Sequence, residues 1–273
     1  MPSGGSSFVC IDRVILPVPD AKAAAEWYIN EFEFRIVRRG SKEIDLRIQD
    51  GETLLTLTEH SGNQRYQPLI HLDASGHVPC FNFYCHWDDL HSGWLRSRNI
   101  SVTSTMQTAH MNVCEMTDPY GNVTGICHEK SNSLFYTPAP GPVPPMFHRI
   151  LAVFLPVIDL ESSIRWYADM LGFELVNHWG QGADLKIGKG ETIVTMIVMD
   201  EELHRQALLR LNGQAYYSLQ TPSIHDAYRQ LSQLGVPAES CREQDGVNRF
   251  HICSPEGLII RISEKELIQI VST

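Results

Sequence analysis

An internal repeat constrains the fold of this chain more than any other feature of its sequence. Residues 18–34 (VPDAKAAAEWYINEFEF) match residues 157–175 (VIDLESSIRWYADMLGFEL), and residues 51–57 (GETLLTL) match residues 190–196 (GETIVTM). Both matches have the same spacing along the chain, so no net insertion separates them. Such a repeat indicates one structural unit used twice, because similar sequences bury the same pattern of side chains.

A second match places the end of each copy. The segments TDPYGNVTGICHEK (117–130) and CSPEGLIIRISEKE (253–266) each combine a tight turn with a short strand. Between the copies, residues 131–146 contain five prolines and cannot form a regular strand ladder, because proline lacks the backbone N–H. We therefore expect this segment to be a semi-rigid linker between two domains.

Each copy divides into two shorter modules. Apolar runs rich in β-branched residues predict strands at 8–18 and 149–157, and Asp20 and Asp159 are suited to cap the helices that follow. Three short strands are predicted after each helix, and the second half of each copy repeats this order more weakly. The sequence thus predicts an α+β fold made of four βαβββ modules, at residues 8–60, 78–130, 147–200 and 213–266.

Composition narrows the class of protein. With 273 residues, of which 43% are hydrophobic, the chain is long enough to bury two cores. No run of about 18 apolar residues is present, and the N-terminus lacks a basic region followed by an apolar stretch. We therefore expect neither a membrane span nor a signal peptide, and a cytoplasmic location.

Charge and cysteine content argue against a nucleic acid partner and against cysteine-based structural sites. The formal net charge of −10 disfavours a nucleic acid partner, since affinity for phosphate backbones comes from clustered Lys and Arg. Seven cysteines, an odd number without a C-x-x-C pair, argue against a disulfide framework or a zinc ribbon. We expect a small organic molecule as the partner, and a monomer or a homodimer.

The order of these motifs resembles the vicinal oxygen chelate superfamily, which includes glyoxalase I, extradiol dioxygenases, fosfomycin-resistance enzymes and bleomycin-resistance proteins. The resemblance rests on V-x-D followed by W-Y and G-F after the first strand, and on the D/S-P-x-G turn before the last strand. It covers residues 8–266 and implies two tandem domains, at 8–130 and 147–266, with their helices outside. In each domain, two modules would curl a mixed sheet into a cup that holds a small molecule.

The resemblance also implies where a metal ion would bind. In metal-using members the ligands are His, Gln or Glu on the first and last strands of each module. The matching positions in this chain hold other residue types: Arg13, Thr56, Cys80, Gly125, Ala152, Thr195, Tyr216 and Arg261. Divalent ions need several anionic or imidazole ligands, and a guanidinium repels them, so we expect no metal site and no cofactor.

Further cup residues follow from strand geometry and from the resemblance. Side chains two residues from the matched positions share their face of the strand. This adds four ligand contacts: Asn82, Tyr84, Cys127 and Ser218. The resemblance to extradiol dioxygenases implies that the residue three before the D/S-P-x-G turn faces the substrate, and here Glu115 and His251 hold that place.

Glu115 and His251 are therefore the candidate catalytic residues. We expect Glu115 to form an ion pair with Arg13 across the cup of the first domain. His251 is expected either to bind an anion together with Arg261 or to act as a general base. Each also has a purely structural interpretation, as a buried ion pair and as a hydrogen-bonded strand residue.

Three functions stay open at this stage, and with them the question whether the protein is an enzyme. The first is a metal-free protein of bleomycin-resistance or glyoxalase-like type that binds or sequesters an organic ligand. The second is a metal-dependent lyase or ring-cleaving dioxygenase with relocated ligands drawn from His148, His251, Glu115 and Glu129. The third is a non-catalytic regulatory or interaction protein whose cups are filled by its own side chains.

The cysteines add one alternative to these. Cys80, Cys114 and Cys127 are predicted on neighbouring strands, where they could form a soft-metal or redox site with Glu115. Buried cysteines more commonly act as small hydrophobic residues, which is the competing interpretation.

Overall fold

The computed structural model describes residues 7–60, 62, 65, 70–72, 76–86, 91–139, 141 and 145–264. The first module contains β1 (Cys10–Val18), α1 (Ala21–Phe32), β2 (Arg35–Arg39), β3 (Glu43–Arg47) and β4 (Leu54–Glu59). The second module follows the hairpin β5 (Ile70–Leu72) and β6 (Gly76–Val78), and contains β7 (Phe81–Tyr84), α2 (His91–Ser97), β8 (Ser101–Val102), β9 (Met106–Gln107), β10 (Met111–Thr117) and β11 (Val123–Glu129).

The third and fourth modules repeat this order. The third contains β12 (Arg149–Val157), α3 (Leu160–Trp166) with a π-helical extension (Tyr167–Leu171), β13 (Phe173–His178), β14 (Gly182–Ile187) and β15 (Ile193–Val198). After α4 (Glu201–Leu211), the fourth contains β16 (Tyr217–Thr221), α5 (Ile224–Gln233), β17 (Arg242–Gln244), β18 (Val247–Cys253) and β19 (Ile259–Glu264). The predicted α+β class and the modular order are confirmed, while α4 was not anticipated.

The predicted helix caps explain where α1 and α3 begin. The Asp20 carboxylate accepts hydrogen bonds from the backbone N–H groups of Lys22 and Ala23, both at 2.9 Å. Asp159 accepts one from Ser162 at 3.1 Å. These bonds satisfy N–H groups that the first helical turn leaves without partners. The helices therefore begin at equivalent places in both copies.

The strands form two large sheets, and the modules in them are paired differently from the expectation. The eight-stranded sheet has the order β17-β18-β19-β16-β1-β4-β3-β2, which joins the fourth module to the first. The nine-stranded sheet has the order β13-β14-β15-β12-β7-β11-β10-β8, with β9 paired to β10, and joins the third module to the second. The prediction that consecutive modules share a sheet was wrong. Every module presents an equivalent free edge on its first strand, so the repeat alone does not select the partner.

Consecutive modules instead contact each other through helices and turns. Tyr28 of α1 donates a hydrogen bond to Asp118 in the turn before β11, at 3.1 Å, and the Asn122 side chain donates to the Pro17 carbonyl. In the other pair, the hydroxyls of Tyr167 and Tyr217 lie 3.4 Å apart. Whether residues 131–146 divide the chain into two separate domains stays a prediction.

The two copies meet around an approximate two-fold axis. The hydroxyls of Thr53 and Thr192 share a hydrogen bond of 2.8 Å, and each threonine also bonds the matching carbonyl, Ile11 or Ile150, at 2.7 Å. This symmetry makes it possible to compare the two sheets position by position. No helix of the described residues is long and apolar enough to cross a membrane.

Candidate ligand-binding site

The concave face of the eight-stranded sheet carries charged residues, and we call it the charged cup. In the strand register, Arg13 of β1 lies opposite Ser218 of β16, and Ser218 lies beside Arg261 of β19. Thr56 of β4 lies opposite Asp45 of β3. Of the predicted positions, Arg13, Thr56 and Arg261 therefore come together from the first and fourth modules. Ser218 completes this set in place of Tyr216.

Glu43 on β3 is the centre of one ion cluster in the charged cup. Its carboxylate lies 3.2 Å from Arg38, 3.0 Å from Arg249 and 3.2 Å from Arg261. Burial alone would raise the pKa of Glu43, but the charges of Arg261 and Arg249 outweigh it and leave this pKa below its ordinary value. The side chain is 2% exposed, so it is a buried anion held by three cations.

Asp45 and Asp12 hold the remaining arginine of this cup. Asp45 lies 2.7 Å from Arg38 and 3.5 Å from Arg13, and it accepts a hydrogen bond from Thr56 at 2.7 Å. Asp12 forms an ion pair with its neighbour Arg13. A break in the β1 register between Ile11 and Arg13 allows these adjacent residues to interact on one side of the strand.

The ion cluster also crosses the cup. Glu43 and Arg249 stand on β3 and β18, which are five strands apart in the sheet, yet their side chains are in contact. At the rim, the Ser41 backbone N–H and hydroxyl donate to Asp245 at 3.1 and 3.2 Å, which joins the β2–β3 turn to the β17–β18 turn. The sheet is therefore curled, as a cup requires.

A small recess, open to solvent at its mouth, lies within this cluster. It is lined by Arg13, Arg38, Glu43, Val247, Arg249, Arg261 and Ser263. Among the described residues of the cup, four arginines face the three carboxylates of Asp12, Glu43 and Asp45. The recess therefore carries a net positive charge in a protein whose total charge is −10.

His251 lies at the edge of this cluster, opposite Arg261 in the register of β18 and β19. Its Nδ1 is 3.3 Å from a carboxylate oxygen of Glu239. Burial and the nearby Arg261 lower the pKa of His251, and Glu239 only partly opposes them. Near neutral pH the imidazole is therefore uncharged, which makes it a possible proton acceptor rather than an anion ligand.

The concave face of the nine-stranded sheet is different, and we call it the apolar cup. At the positions of Arg13, Arg38, Arg249 and Arg261, the equivalent strands carry Ala152, Asn177, Val113 and Gly125. Asp184 is retained at the position of Asp45 and accepts a hydrogen bond from Thr195 at 2.7 Å. Burial raises the pKa of Asp184. The same fold thus presents two cups of different chemistry.

Aliphatic, aromatic and sulfur-containing side chains fill the apolar cup. Its buried members are Tyr84, Cys127, Leu151, Ala152 and Ile193, with Met111, Val113, Phe135 and Phe154 packed against them. Asn82, a predicted ligand contact, uses its side-chain oxygen to accept the Ala152 backbone N–H at 3.0 Å. It is therefore engaged with the sheet itself.

Comparison with known proteins identifies the fold. Residues 149–257 match the model of the Glyoxalase/Bleomycin resistance protein/Dioxygenase superfamily. The match shows the likeness to this superfamily for that part of the chain. No curated protein matches the sequence significantly.

Solved structures with the superfamily fold align with nearly the whole chain. A putative dioxygenase from Bacillus subtilis subsp. subtilis str. 168 has a TM-score of 0.65 and 14% identity, over 96% of this chain and 86% of that one. Glyoxalase I from Zea mays has a TM-score of 0.63 and 15% identity, over 93% of this chain and 92% of that one. At these identities the likeness establishes the fold alone.

The metal position used in parts of the superfamily does not fit a divalent cation here. In the charged cup, Arg13, Thr56, Ser218 and Arg261 provide two fixed positive charges and two hydroxyls. In the apolar cup, the same places hold a glycine, an alanine, a threonine and an asparagine, namely Gly125, Ala152, Thr195 and Asn82. These side chains cannot supply the several anionic or imidazole ligands that such an ion needs.

The predicted ion pair of Arg13 with Glu115 was wrong because the modules pair differently. Arg13 lies in the eight-stranded sheet and Glu115 in the nine-stranded sheet, so Arg13 pairs with Asp12 and Asp45 instead. Of the four proposed relocated ligands, Glu115 and Glu129 lie in the nine-stranded sheet, whereas His251 lies in the eight-stranded sheet. In the part of the chain that the structure describes, no three His, Cys, Asp or Glu residues are grouped to hold a metal ion.

Burial changes the acidity of the three cysteines considered as a soft-metal or redox site, of which two are fully buried and Cys114 is half-buried. It raises the pKa of Cys80 and of Cys127, and that of Cys114 to about 11. Thiols with raised pKa values stay protonated at neutral pH, whereas metal binding and redox exchange use the thiolate. Burial therefore favours the interpretation of these residues as small hydrophobic side chains.

Several residues of the charged cup were missed by sequence reasoning: Asp12, Arg38, Glu43, Asp45, Arg249 and Ser263. One of them, Asp45, carried a usable signal. Asp45 and Asp184 recur at the repeat spacing together with Thr56 and Thr195. A charged residue retained at the same strand position in both copies indicates a place on the concave face.

Proposed function

We propose that this protein binds a small organic anion in the charged cup and does so without a metal ion. The observation that carries the proposal is the excess of arginines over carboxylates among the described residues of one concave face. Two of these arginines are buried and two are half-buried. Isolated buried charge is costly, so cationic groups collected in a recess favour an anionic partner. This proposal corresponds to metal-free binding of the bleomycin-resistance or glyoxalase-like type.

The geometry of Arg249 supports an oxygen-rich ligand group. Its Nη1 binds Glu43, while its Nη2 is buried and has no hydrogen-bond partner among the described residues. A planar guanidinium binds a carboxylate through two parallel hydrogen bonds. A ligand carboxylate in the recess would accept a bond from Nη2 and share the arginines with Glu43.

The experiment measures ligand-induced thermal stabilisation of the full-length protein. Benzoate and inorganic phosphate serve as anionic probes, and benzamide serves as the uncharged match of benzoate. We expect an anion to raise the melting temperature, because a ligand that binds only the native state stabilises it. Benzamide should raise it by less than half as much, and addition of EDTA should leave the anion effect unchanged.

Substitutions locate the effect in the charged cup. Arg249→Met should remove most of the anion-induced rise in melting temperature. Arg249→Lys, which keeps the positive charge beside Glu43, should also remove most of this rise. Arg229→Met is the matched control, because Arg229 lies on α5 with a side chain that is 68% exposed. Equal stabilisation by benzamide, or loss of the effect in EDTA, would contradict the proposal.

His251 supports a second candidate, in which the bound anion is also transformed. An uncharged imidazole opposite Arg261 could accept a proton from a ligand whose carboxylate that arginine holds. His251→Gln should then abolish turnover of a bound anion while leaving its affinity within about threefold. An unchanged rate would restrict the protein to binding.

A further inference from the structure

The apolar cup is covered by the protein's own chain. Residues 133–137 follow β11, and the side chain of Phe135 packs against the buried cluster of Tyr84, Cys127, Leu151, Ala152 and Ile193. The neighbouring side chains of Leu134 and Tyr136 are 72% and 40% exposed. One aromatic ring of this segment is thus inserted in the cup, while the residues on either side point outward.

The Tyr84 hydroxyl binds the backbone of the same segment. It donates a hydrogen bond to the Thr137 carbonyl at 3.0 Å and accepts one from the Thr137 N–H at 2.9 Å. Tyr84 is fully buried at the floor of the cup. The phenol thus donates to the carbonyl and accepts from the N–H of one residue, which belong to two successive peptide groups, so it holds the backbone on both sides of Thr137.

Arg149 adds a third point of attachment. Its guanidinium donates to the Thr137 hydroxyl at 3.0 Å and to the Phe135 carbonyl at 3.4 Å. It also lies over the Tyr84 ring, 4.5 Å from the ring centroid. Cation–π contact fixes the guanidinium where it reaches the segment. The cup therefore offers an apolar wall for a ring and two polar groups for the adjoining amides.

We infer that residues 133–137 act as an internal ligand of the apolar cup. The recognised features are an aromatic ring and a neighbouring secondary amide, so an external molecule that competes with the segment would be an uncharged N-acyl aromatic amide. Tethering gives the segment a local concentration on the order of millimolar, which excludes weak competitors. This leaves the charged cup as the cup that we propose for ligand binding.

The test uses a fluorescently labelled acetyl-Ser-Leu-Phe-Tyr-Thr-amide and the full-length protein. Phe135→Ala removes the ring of the internal segment but leaves Tyr84 and Arg149 in place to receive the peptide. Fluorescence anisotropy should show binding to this variant at least tenfold tighter than to the unmodified protein. A peptide with alanine in place of phenylalanine should bind the variant at least tenfold more weakly than the original peptide.

Leu134→Ala is the matched control, because this side chain belongs to the same segment but is exposed. It should bind the peptide no better than the unmodified protein does. If Phe135→Ala also shows no gain in affinity, the inference is overturned. The peptide carries no charge, so this outcome does not depend on whether the charged cup binds anions.

A second measurement applies if Phe135→Ala fails to fold. Tyr84→Phe removes both hydrogen bonds to Thr137 and keeps the ring beneath Arg149. Hydrogen exchange of the Thr137 amide should then become at least tenfold faster, with the amides of β12 unchanged. Unchanged protection of Thr137 would show that the segment is a fixed part of the core.

Discussion

Asp45 and Asp184 show how one residue behaves in two surroundings. Each accepts a hydrogen bond of 2.7 Å from the threonine at the matching position of the adjacent strand. Asp45 also contacts two arginines, whereas the positions of those arginines are alanine and asparagine around Asp184. Burial raises the pKa of Asp184. In the charged cup, where Asp45 lies, the arginines around Glu43 instead lower the pKa of Glu43. The charge of a buried carboxylate is therefore set by its partners.

These opposite shifts predict opposite dependences of stability on pH for two variants. Glu43 has a lowered pKa, so its contribution is present above its ordinary pKa of 4.5 and is lost as pH falls through the lowered value. Glu43→Gln should therefore be most destabilising near pH 7 and less so below pH 4.5.

Asp184 has a raised pKa, so its ionisation opposes folding as pH rises above 3.8. As the pH rises through this range, the stability of the Asp184→Asn variant should increase relative to that of the unmodified protein.

Urea unfolding at several values of pH measures both effects. Glu59→Gln is the control, because Glu59 is an exposed residue at the end of β4. Parallel pH profiles for Glu43→Gln and Asp184→Asn would show that the two carboxylates do not differ as described.

At the scale of elements, local signals placed the helices and strands, and pairing decided which residues meet. Asp20 and Asp159 were recognisable as caps because capping depends on the adjacent turn alone. Cys80 and Tyr216 were predicted to hold the ligand positions of the second and fourth modules. The residues that pair with Ala152 and Arg13 are instead Asn82 and Ser218, two residues further along the chain. Register depends on hydrogen bonds between strands from distant parts of the chain, and the sequence of one strand does not contain it.

The cap of α1 gives a prediction at this scale. Asp20→Ala should lower the free energy of unfolding by about 1 kcal/mol, because two N–H groups of the first turn lose their acceptor. Chemical denaturation measures the change. Asp50→Ala is the control, since that side chain is 98% exposed. Equal effects of the two substitutions would contradict the assigned role.

At the scale of the whole molecule, each cup is assembled from both halves of the sequence. The central pairs β1–β16 and β7–β12 each join a strand of the first half to one of the second. The ion pairs of Glu43 with Arg249 and Arg261 span more than half of the chain in the same way. Stability and the charged cup therefore depend on both halves together.

Separate expression of the halves tests this arrangement. A fragment ending at residue 138 would expose the edges of β1 and β7, and we expect it to aggregate or remain unfolded alone. Mixing it with the fragment that begins at residue 139 should restore the circular dichroism spectrum and a 1:1 complex in size-exclusion chromatography. A monomeric, cooperatively folded first fragment would show instead that consecutive modules can share a sheet.

The sequence by itself determined the four modules, the caps of their first helices and the replacement of the usual metal ligands by arginine, hydroxyl and apolar groups. These features are local or recur at a fixed spacing, so a single chain displays them. Only the tertiary structure decided that the first module pairs with the fourth, that four arginines surround Glu43 and its neighbours, and that residues 133–137 enter the apolar cup. Similar modules present equivalent strand edges, and the choice among those edges depends on packing and charge across the assembled sheets.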